Sequence, residues 1–241
     1  MRLLVTRPEP DSAREAEMLA ARGHEAVLAP LLTIEFLGDA LVDLDGAQAL
    51  IATSRNALRA LVSNLARDQA LKLPLLAVGD ATAGEARALG FTDLTIGPGT
   101  GAKLAKLIVN EFEPEHGALV HLSGETIAFD LQSALEREGF NVRRVVLYRA
   151  VPSGALPAEI LGLLKAGKLD GVILMSPRTA KTFADLVARH GLVTQAKSLV
   201  CYCLSEAVAE AAASLGCKLR VAARPREEDV LALLDSEAAS S

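Results

Sequence analysis

Apolar residues come along this chain in short unbroken runs, separated by longer stretches where they recur every three or four positions. The runs lie at 3–6, 26–29, 49–52, 75–78, 94–96, 118–122, 142–147, 171–175, 199–203 and 219–221. Most show no polar alternation, which predicts strands covered on both faces. Between them, Ala57, Leu58, Leu61, Val62 and Leu65 form one helical stripe. Ala180, Phe183, Leu186 and Val187 form a second, and Ala207, Val208, Ala211, Ala212 and Leu215 a third. Gly23, Gly90, Gly139 and Gly216 stand where helices should stop. Strand and helix alternating in this way predict parallel α/β sheets.

The pattern occurs twice. Ile51-Ala52-Thr53-Ser54-Arg55-Asn56-Ala57 resembles Ile173-Leu174-Met175-Ser176-Pro177-Arg178-Thr179-Ala180. Leu75-Leu76-Ala77-Val78-Gly79-Asp80-Ala81 resembles Leu199-Val200-Cys201-Tyr202-Cys203-Leu204-Ser205. Leu89-Gly90 matches Leu215-Gly216, and 19–23 pairs with 135–139. A period near half the chain predicts two similar lobes. Facing each other, they would make a cleft with the matched Ser and Thr positions at its rim. Two segments, 31–37 and 146–152, overrun the rhythm. They read either as antiparallel linker strands passing between lobes or as ordinary edge strands. The small polar tail at 236–241 is expected to fray.

With 51% hydrophobic residues in 241 and a mean hydropathy of +0.30, there is apolar material for two cores. Aromatics are only 3% and Trp is absent, so those cores must be aliphatic. The net charge of −5, with no basic run, argues against nucleic acid as a partner. No apolar stretch approaches the roughly 18 residues of a membrane span. The first eight residues read as a strand rather than a signal peptide. Cys201, Cys203 and Cys217 make no disulfide framework, and Cys201-x-Cys203 reads as strand thiols on one face. A cytoplasmic location is the default for such a chain.

The candidate chemistry is Ser, Thr or Asp at strand-to-helix junctions: Thr53-Ser54, Asp80 with Thr82, Ser123-Gly124, Ser176-Pro177 and Ser205, with Thr6-Arg7-Pro8 similar. These are the residue types that cap helices, and Pro177 suits a first helical position. They also lie where parallel sheets bind ligands, and free N–H groups there attract carboxylates and phosphates. Several such termini could hold a polyanion with few cations. No dinucleotide, phosphate-loop or nucleophile-elbow signature is present, and Gly97-Pro98-Gly99-Thr100-Gly101 reads as a loop opening a helix. The histidines His24, His116, His121 and His190 have no ligand spacing. His24 and His190 are expected at the surface, and His121 falls on a strand, where packing is the simpler reading. Tyr148, on the second overlong segment, could either donate from its phenol or simply pack.

Taken in order, several motifs resemble the uroporphyrinogen-III synthase family over essentially the whole chain. They are Leu4-Val5-Thr6-Arg7-Pro8, Pro30 with Ile34-Glu35-Phe36, Thr53-Ser54-Arg55-Asn56-Ala57, Val78-Gly79-Asp80-Ala81-Thr82-Ala83, Tyr148-Arg149, Met175-Ser176-Pro177 and Ser205-Glu206-Ala207. The resemblance implies two flavodoxin-like α/β lobes with a cleft between them. One is discontinuous, 1–35 plus 153–241, and the other is inserted, 38–148, with linkers at about 31–38 and 146–153. The middle lobe would be a circularly permuted copy that begins at its third strand. The implied reaction closes hydroxymethylbilane, a linear tetrapyrrole octacarboxylate, with inversion of ring D and loss of water. No cofactor or metal is implied, nor any nucleic-acid or membrane partner. The implied protein is a monomer, with transient contact to hydroxymethylbilane synthase. Arg7, Thr53, Ser54, Asn56, Thr82, Ser123, Gly124, Ser176 and Ser205 would surround the substrate, and Tyr148 would assist loss of its hydroxyl. One departure is Leu204-Ser205-Glu206, where relatives often carry a Gly/Thr-rich turn, so Glu206 should point away from a polyanion. The competing reading is a bilobal small-anion sensor without turnover. A fused pair of receiver-like domains would need a clustered acidic pocket, which the sequence lacks.

Overall fold

The computed structural model describes residues 1–238. Among the described residues the strands are β1 (Arg2–Val5), β2 (Glu25–Leu28), β3 (Leu32–Phe36), β4 (Ala47–Ala52), β5 (Leu75–Ala77), β6 (Leu94–Ile96), β7 (Ala118–Gly124), β8 (Val142–Pro152), β9 (Gly171–Leu174), β10 (Val200–Cys203) and β11 (Lys218–Val221). The chain separates into two compact units, one of Met1–Thr33 with the chain from Val151 onward, the other of Ile34–Ala150. Each contains one sheet with helices on both faces.

In the first unit the sheet order is β11-β10-β9-β1-β2, and every neighbouring pair is parallel. Leu4, Val172, Leu174, Cys201 and Cys203 pack one face against Phe183, Val187 and Val208. Leu3, Val5, Ile173 and Tyr202 pack the other against Leu19, Val230 and Leu234. Both faces are dry, which is why these strands carry no polar alternation. Cys201 and Cys203 share a face, and the half-buried Cys217 brings its Sγ to 2.6 Å from that of Cys201.

The second unit's sheet runs β3-β8-β7-β4-β5-β6. β8, β7, β4, β5 and β6 are parallel, and β3 is the outer edge. Leu37 N–H donates to Leu147 O at 2.8 Å and Ser153 N–H to Leu31 O at 2.9 Å, so β3 runs antiparallel to β8. The sheet's two faces are packed by Leu50, Val120 and Leu122 against Leu58 and Leu61, and by Ile51, Leu76 and Leu119 against Leu104, Ile108 and Leu135. Counted from β7, this sheet has its strands in the order 2-1-3-4-5, as the first sheet does counted from β1. The matched segments occupy matched places: helices Arg55–Leu61 and Pro177–Arg189 follow β4 and β9, and Asp80–Leu89 and Glu206–Ala212 follow β5 and β10. Gly90 ends the first of the latter pair, and Gly216 ends the 3-10 turn Ala213–Leu215 that follows the second, with left-handed φ values of 111° and 66°, which a Cβ would disfavour.

Some expectations shift. The stripe through Val62 and Leu65 stops at Leu61, because Asn64 turns the chain. Its side chain donates to Ala40 O at 2.9 Å and accepts from Ala66 N–H at 3.0 Å, leaving Val62 and Leu65 exposed. His24 and His190 are half-buried rather than surface residues. Of the tail expected to fray, 236–238 continue the helix Glu227–Ala238, and the remainder lies outside the described residues. No helix among the described residues is long and apolar enough to cross a membrane.

Tyr202 is almost fully buried because β9 opens with glycine. A Cβ on Gly171 would lie 2.6 Å from Val200 O and 2.8 Å from Tyr202 Cε2. Gly171→Ala should therefore destabilise the protein by about 1–3 kcal/mol through overpacking. The shift in urea midpoint measures it.

Candidate functional site

Most of the parallel strands, β2 and β8 excepted, deliver the chain at their carboxyl ends to the start of a helix, so hydrogen-bond donors collect along one edge of each sheet. In the second unit, β4 ends in Thr53 and Ser54. Ser54 is extended and caps the helix Arg55–Leu61, accepting from Asn56 N–H at 3.1 Å. Asn56 Oδ1 accepts from Arg59 Nη1 at 3.2 Å, and Arg59 in turn pairs with Glu85 at 2.9 Å. Beyond β5, the helix Asp80–Leu89 starts from Gly79, whose missing side chain lets Gly99 Cα approach. Thr82 is buried in that helix's first turn. Thr100 caps the helix Gly101–Glu111, as the Gly-rich loop predicted.

β7 and β8 finish the same edge. Tyr148 pairs in register with Gly124, and its ring lies over the glycine: a Cβ there would stand 2.6 Å from Cζ and 2.8 Å from the hydroxyl. The ring packs on the core and is half-buried, which meets the packing alternative of the sequence reading. No hydrogen-bond partner for the phenol occurs among the described residues. Ser123 is fully buried. Its hydroxyl donates to Val145 O at 3.3 Å and accepts from Arg144 Nε at 3.0 Å, so it braces the strand end instead of facing outward. Arg144 also donates through Nη2 to Gly124 O and Glu125 O, both at 2.8 Å. Thr53 Oγ1 lies 3.0 Å from His121 Nε2. Burial first, and then the Arg144 charge, hold that imidazole's pKa down at about 4, so it is neutral at physiological pH.

In the first unit, Ser176 caps the helix Pro177–Arg189 with Pro177 at its first position. Its Oγ accepts from Thr179 N–H at 3.1 Å and lies 2.8 Å from Thr179 Oγ1. Ser205 precedes the helix Glu206–Ala212 without a side-chain cap, and Glu206 is exposed in that helix's first turn. Arg7 departs from the expectation that it meets a ligand. It is buried among carboxylates of its own chain: Asp11 at 3.4 Å, Glu15 at 3.6 Å, and Glu227 in direct contact. Thus Ser54, Asn56, Thr53, Gly124 and Tyr148 gather at the edge of the second sheet. Ser176 and Ser205 lie on that of the first, while Arg7, Thr82 and Ser123 are turned to internal work. Sequence reasoning missed Arg144 and passed over His121; a cation and an imidazole at registered positions of adjacent apolar strands were the available signal.

A family model described as uroporphyrinogen-III synthase HemD matches residues 13–232. The chain belongs to the uroporphyrinogen-III synthase family. Its activity is that of a cyclising lyase of porphyrin biosynthesis, closing hydroxymethylbilane to uroporphyrinogen III, and the small-anion sensor is not favoured. Among solved structures, uroporphyrinogen-III synthetase from Helicobacter pylori is 19% identical with a TM-score of 0.63, over 98% of this chain and 100% of that one. A mutant uroporphyrinogen III synthase from the extremely thermophilic bacterium Thermus thermophilus is 17% identical with a TM-score of 0.60, over the full length of both. At these identities the likeness speaks for the fold. No curated protein sequence matches the chain. Among the described residues no group of three or more His, Cys, Asp or Glu side chains could hold a metal.

The Arg7 cluster sets a pH dependence. Burial pushes the Glu15 carboxyl up to about 7, with Arg7 opposing and Glu227 and Asp11 adding to the rise. The stability this gives is complete below the ordinary carboxyl range and is lost as pH rises through about 7. Glu15→Gln should match the parent near pH 4.5 and exceed it at pH 8, by about 2–3 kcal/mol. Denaturant melts at the two pH values test this, and equal stability at pH 8 would contradict it.

Proposed function

We propose that the reaction is carried out by positioning rather than by a dedicated acid–base pair. The observation that carries this is the Tyr148–Gly124 arrangement among neutral donors. A phenol with no hydrogen-bond partner among the described residues stands at the carboxyl end of β8, over Gly124, whose carbonyl oxygen accepts from Arg144. Thr53, Ser54 and Asn56 follow β4 at the same edge of that sheet. An azafulvene-forming substrate loses its hydroxyl readily, so the protein needs one proton donor and a mould. The mould must make attack at the substituted carbon of the last ring faster than direct closure. Tyr148 is the proton donor in this proposal. Thr53, Ser54, Asn56, Gly124, Ser176 and Ser205 contribute hydroxyl, amide and backbone N–H groups to the substrate's carboxylates, so an octa-acid can be held by an acidic chain. Arg7, Thr82 and Ser123 support those positions from within.

The finer architecture belongs to the same proposal: two flavodoxin-like lobes, 1–35 plus 153–241 and 38–148, with the chain passing between them in β3 and β8. The shared strand order and the position of those two strands at the unit boundary support it. A cytoplasmic monomer that receives its unstable substrate by contact with hydroxymethylbilane synthase completes the reading.

Freshly prepared bilane should give the type III isomer; exclusive formation of type I would sink the reading. Tyr148→Phe should lower turnover by about ten- to a thousandfold, the scale of one lost proton donor. Gly124→Ala should reproduce much of that loss by displacing the ring, with the phenol still present. Single-turnover rates test both, and full activity in Tyr148→Phe would remove the phenol from the mechanism.

A further inference from the structure

The two units have the same strand order, so each position at one carboxyl edge has a counterpart at the other. In the second unit, Ile51, His121 and Arg144 lie in one row across β4, β7 and β8, with Thr53 two residues beyond Ile51 on the same face. In the first unit the corresponding row is Ile173, Val5 and Leu28, and Met175 takes the place of Thr53. The fold therefore builds this corner from Val, Leu and Met without difficulty. Installing a histidine, an arginine and a threonine instead costs desolvation that the architecture does not require.

His121 is 1% exposed, and its Nδ1 is buried with no hydrogen-bond partner, while its Nε2 faces Thr53 Oγ1 at 3.0 Å. A neutral imidazole carries one proton. Placed on Nδ1, that proton would be a buried donor with nothing to accept it, the costlier arrangement. Placed on Nε2, it donates to Thr53 Oγ1 and leaves only a lone pair unpartnered. Thr53 then has one oxygen lone pair occupied, and its own hydroxyl proton has no acceptor among the described residues. Arg144 fits the same purpose. It lies beside the imidazole, disfavours a second proton there, and ties down Ser123, Gly124 and Glu125 through neutral acceptors.

We propose that His121 is a positioning residue that fixes the Thr53 hydroxyl as a hydrogen-bond donor for a carboxylate of the substrate. A freely rotating threonine would present either a lone pair or a proton, and the lone pair repels an anion. A threonine already accepting from His121 presents its proton. The carboxylate part of this inference rests on the function proposed above; the tautomer does not.

Two measurements on the full chain decide it. In protein labelled with nitrogen-15 histidine, long-range proton–nitrogen spectra should show His121 as the Nε2–H tautomer from pH 6 to 8. An Nδ1–H tautomer, or an imidazolium at pH 6, would overturn the proposal. In bilane kinetics, His121→Val should raise KM about tenfold, the scale of one hydrogen bond to a charged group, with kcat within about threefold. Its melting temperature should not fall below the parent's, since valine fills the counterpart position. His121→Gln, which can place an amide N–H near the same point, should recover most of the affinity. His121→Val in a Thr53→Val background should add little. An unchanged KM in His121→Val, or effects that multiply in the double variant, would show that His121 does not act through Thr53. Parent protein that forms no type III isomer would refute the proposed function, and the spectra would still judge the tautomer.

Discussion

A parallel strand packed on both faces leaves its neighbours only one open place, its carboxyl end. The ladder satisfies the backbone along its length, and aliphatic side chains exclude water from both faces. Where the strand stops, the chain must turn into a helix whose first N–H groups have no partner in the helix itself. That constraint acts on β4, β5, β6 and β7 in one unit and on β1, β9 and β10 in the other. It gathers Ser, Thr, Gly and Asp at one edge of each sheet, because those residues can end a strand and open a helix. The same residues leave that edge rich in donors. An acidic protein can in this way offer a polyanion a favourable surface without a cluster of lysines.

The two units meet this constraint with different chemistry. In the first, the one buried arginine is enclosed by Asp11, Glu15 and Glu227, so its charge is consumed within the fold. In the second, Arg144 bonds only to a hydroxyl and two carbonyl oxygens, and its charge is not cancelled by a bonded carboxylate. The duplicated architecture supplies donors twice, but only the second unit joins them to a guanidinium with no directly bonded carboxylate, a buried imidazole and a tyrosine laid on the glycine that ends a strand. Both tyrosines of the chain rest on a glycine. On Gly171 the ring is sealed in the core, and on Gly124 it is left at the edge with a free phenol. What separates the two is the end of the strand at which the glycine stands.

Much of this was legible in the residues. The apolar runs located ten of the strands, the matched Ser54 and Ser176 located two helix caps, and the ordered motifs pointed to the family. Other features were hidden for physical reasons. Arg7 looks like a ligand for an anion until the helix Asp11–Ala20 turns Asp11 and Glu15 back to it and the helix Glu227–Ala238 brings Glu227 from 220 residues away. Ser123 looks like an edge hydroxyl until Arg144 folds over it. Val62 and Leu65 continue a helical period in sequence, but the Asn64 turn ends the helix before them. Long-range partners of a polar group leave no trace in local period.

Local pattern by itself determined the alternation of strand and helix, the duplication, and the residue types at the junctions, since period, capping and burial act over a few neighbouring positions. Tertiary structure alone decided which of those polar groups stay available. A hydroxyl or guanidinium is free or spent according to what the sheet register places across from it, and register is set by packing between segments far apart in the chain. That is why the Tyr148 phenol keeps no partner among the described residues, while Arg7 and Ser123, also polar residues at strand ends, are turned within.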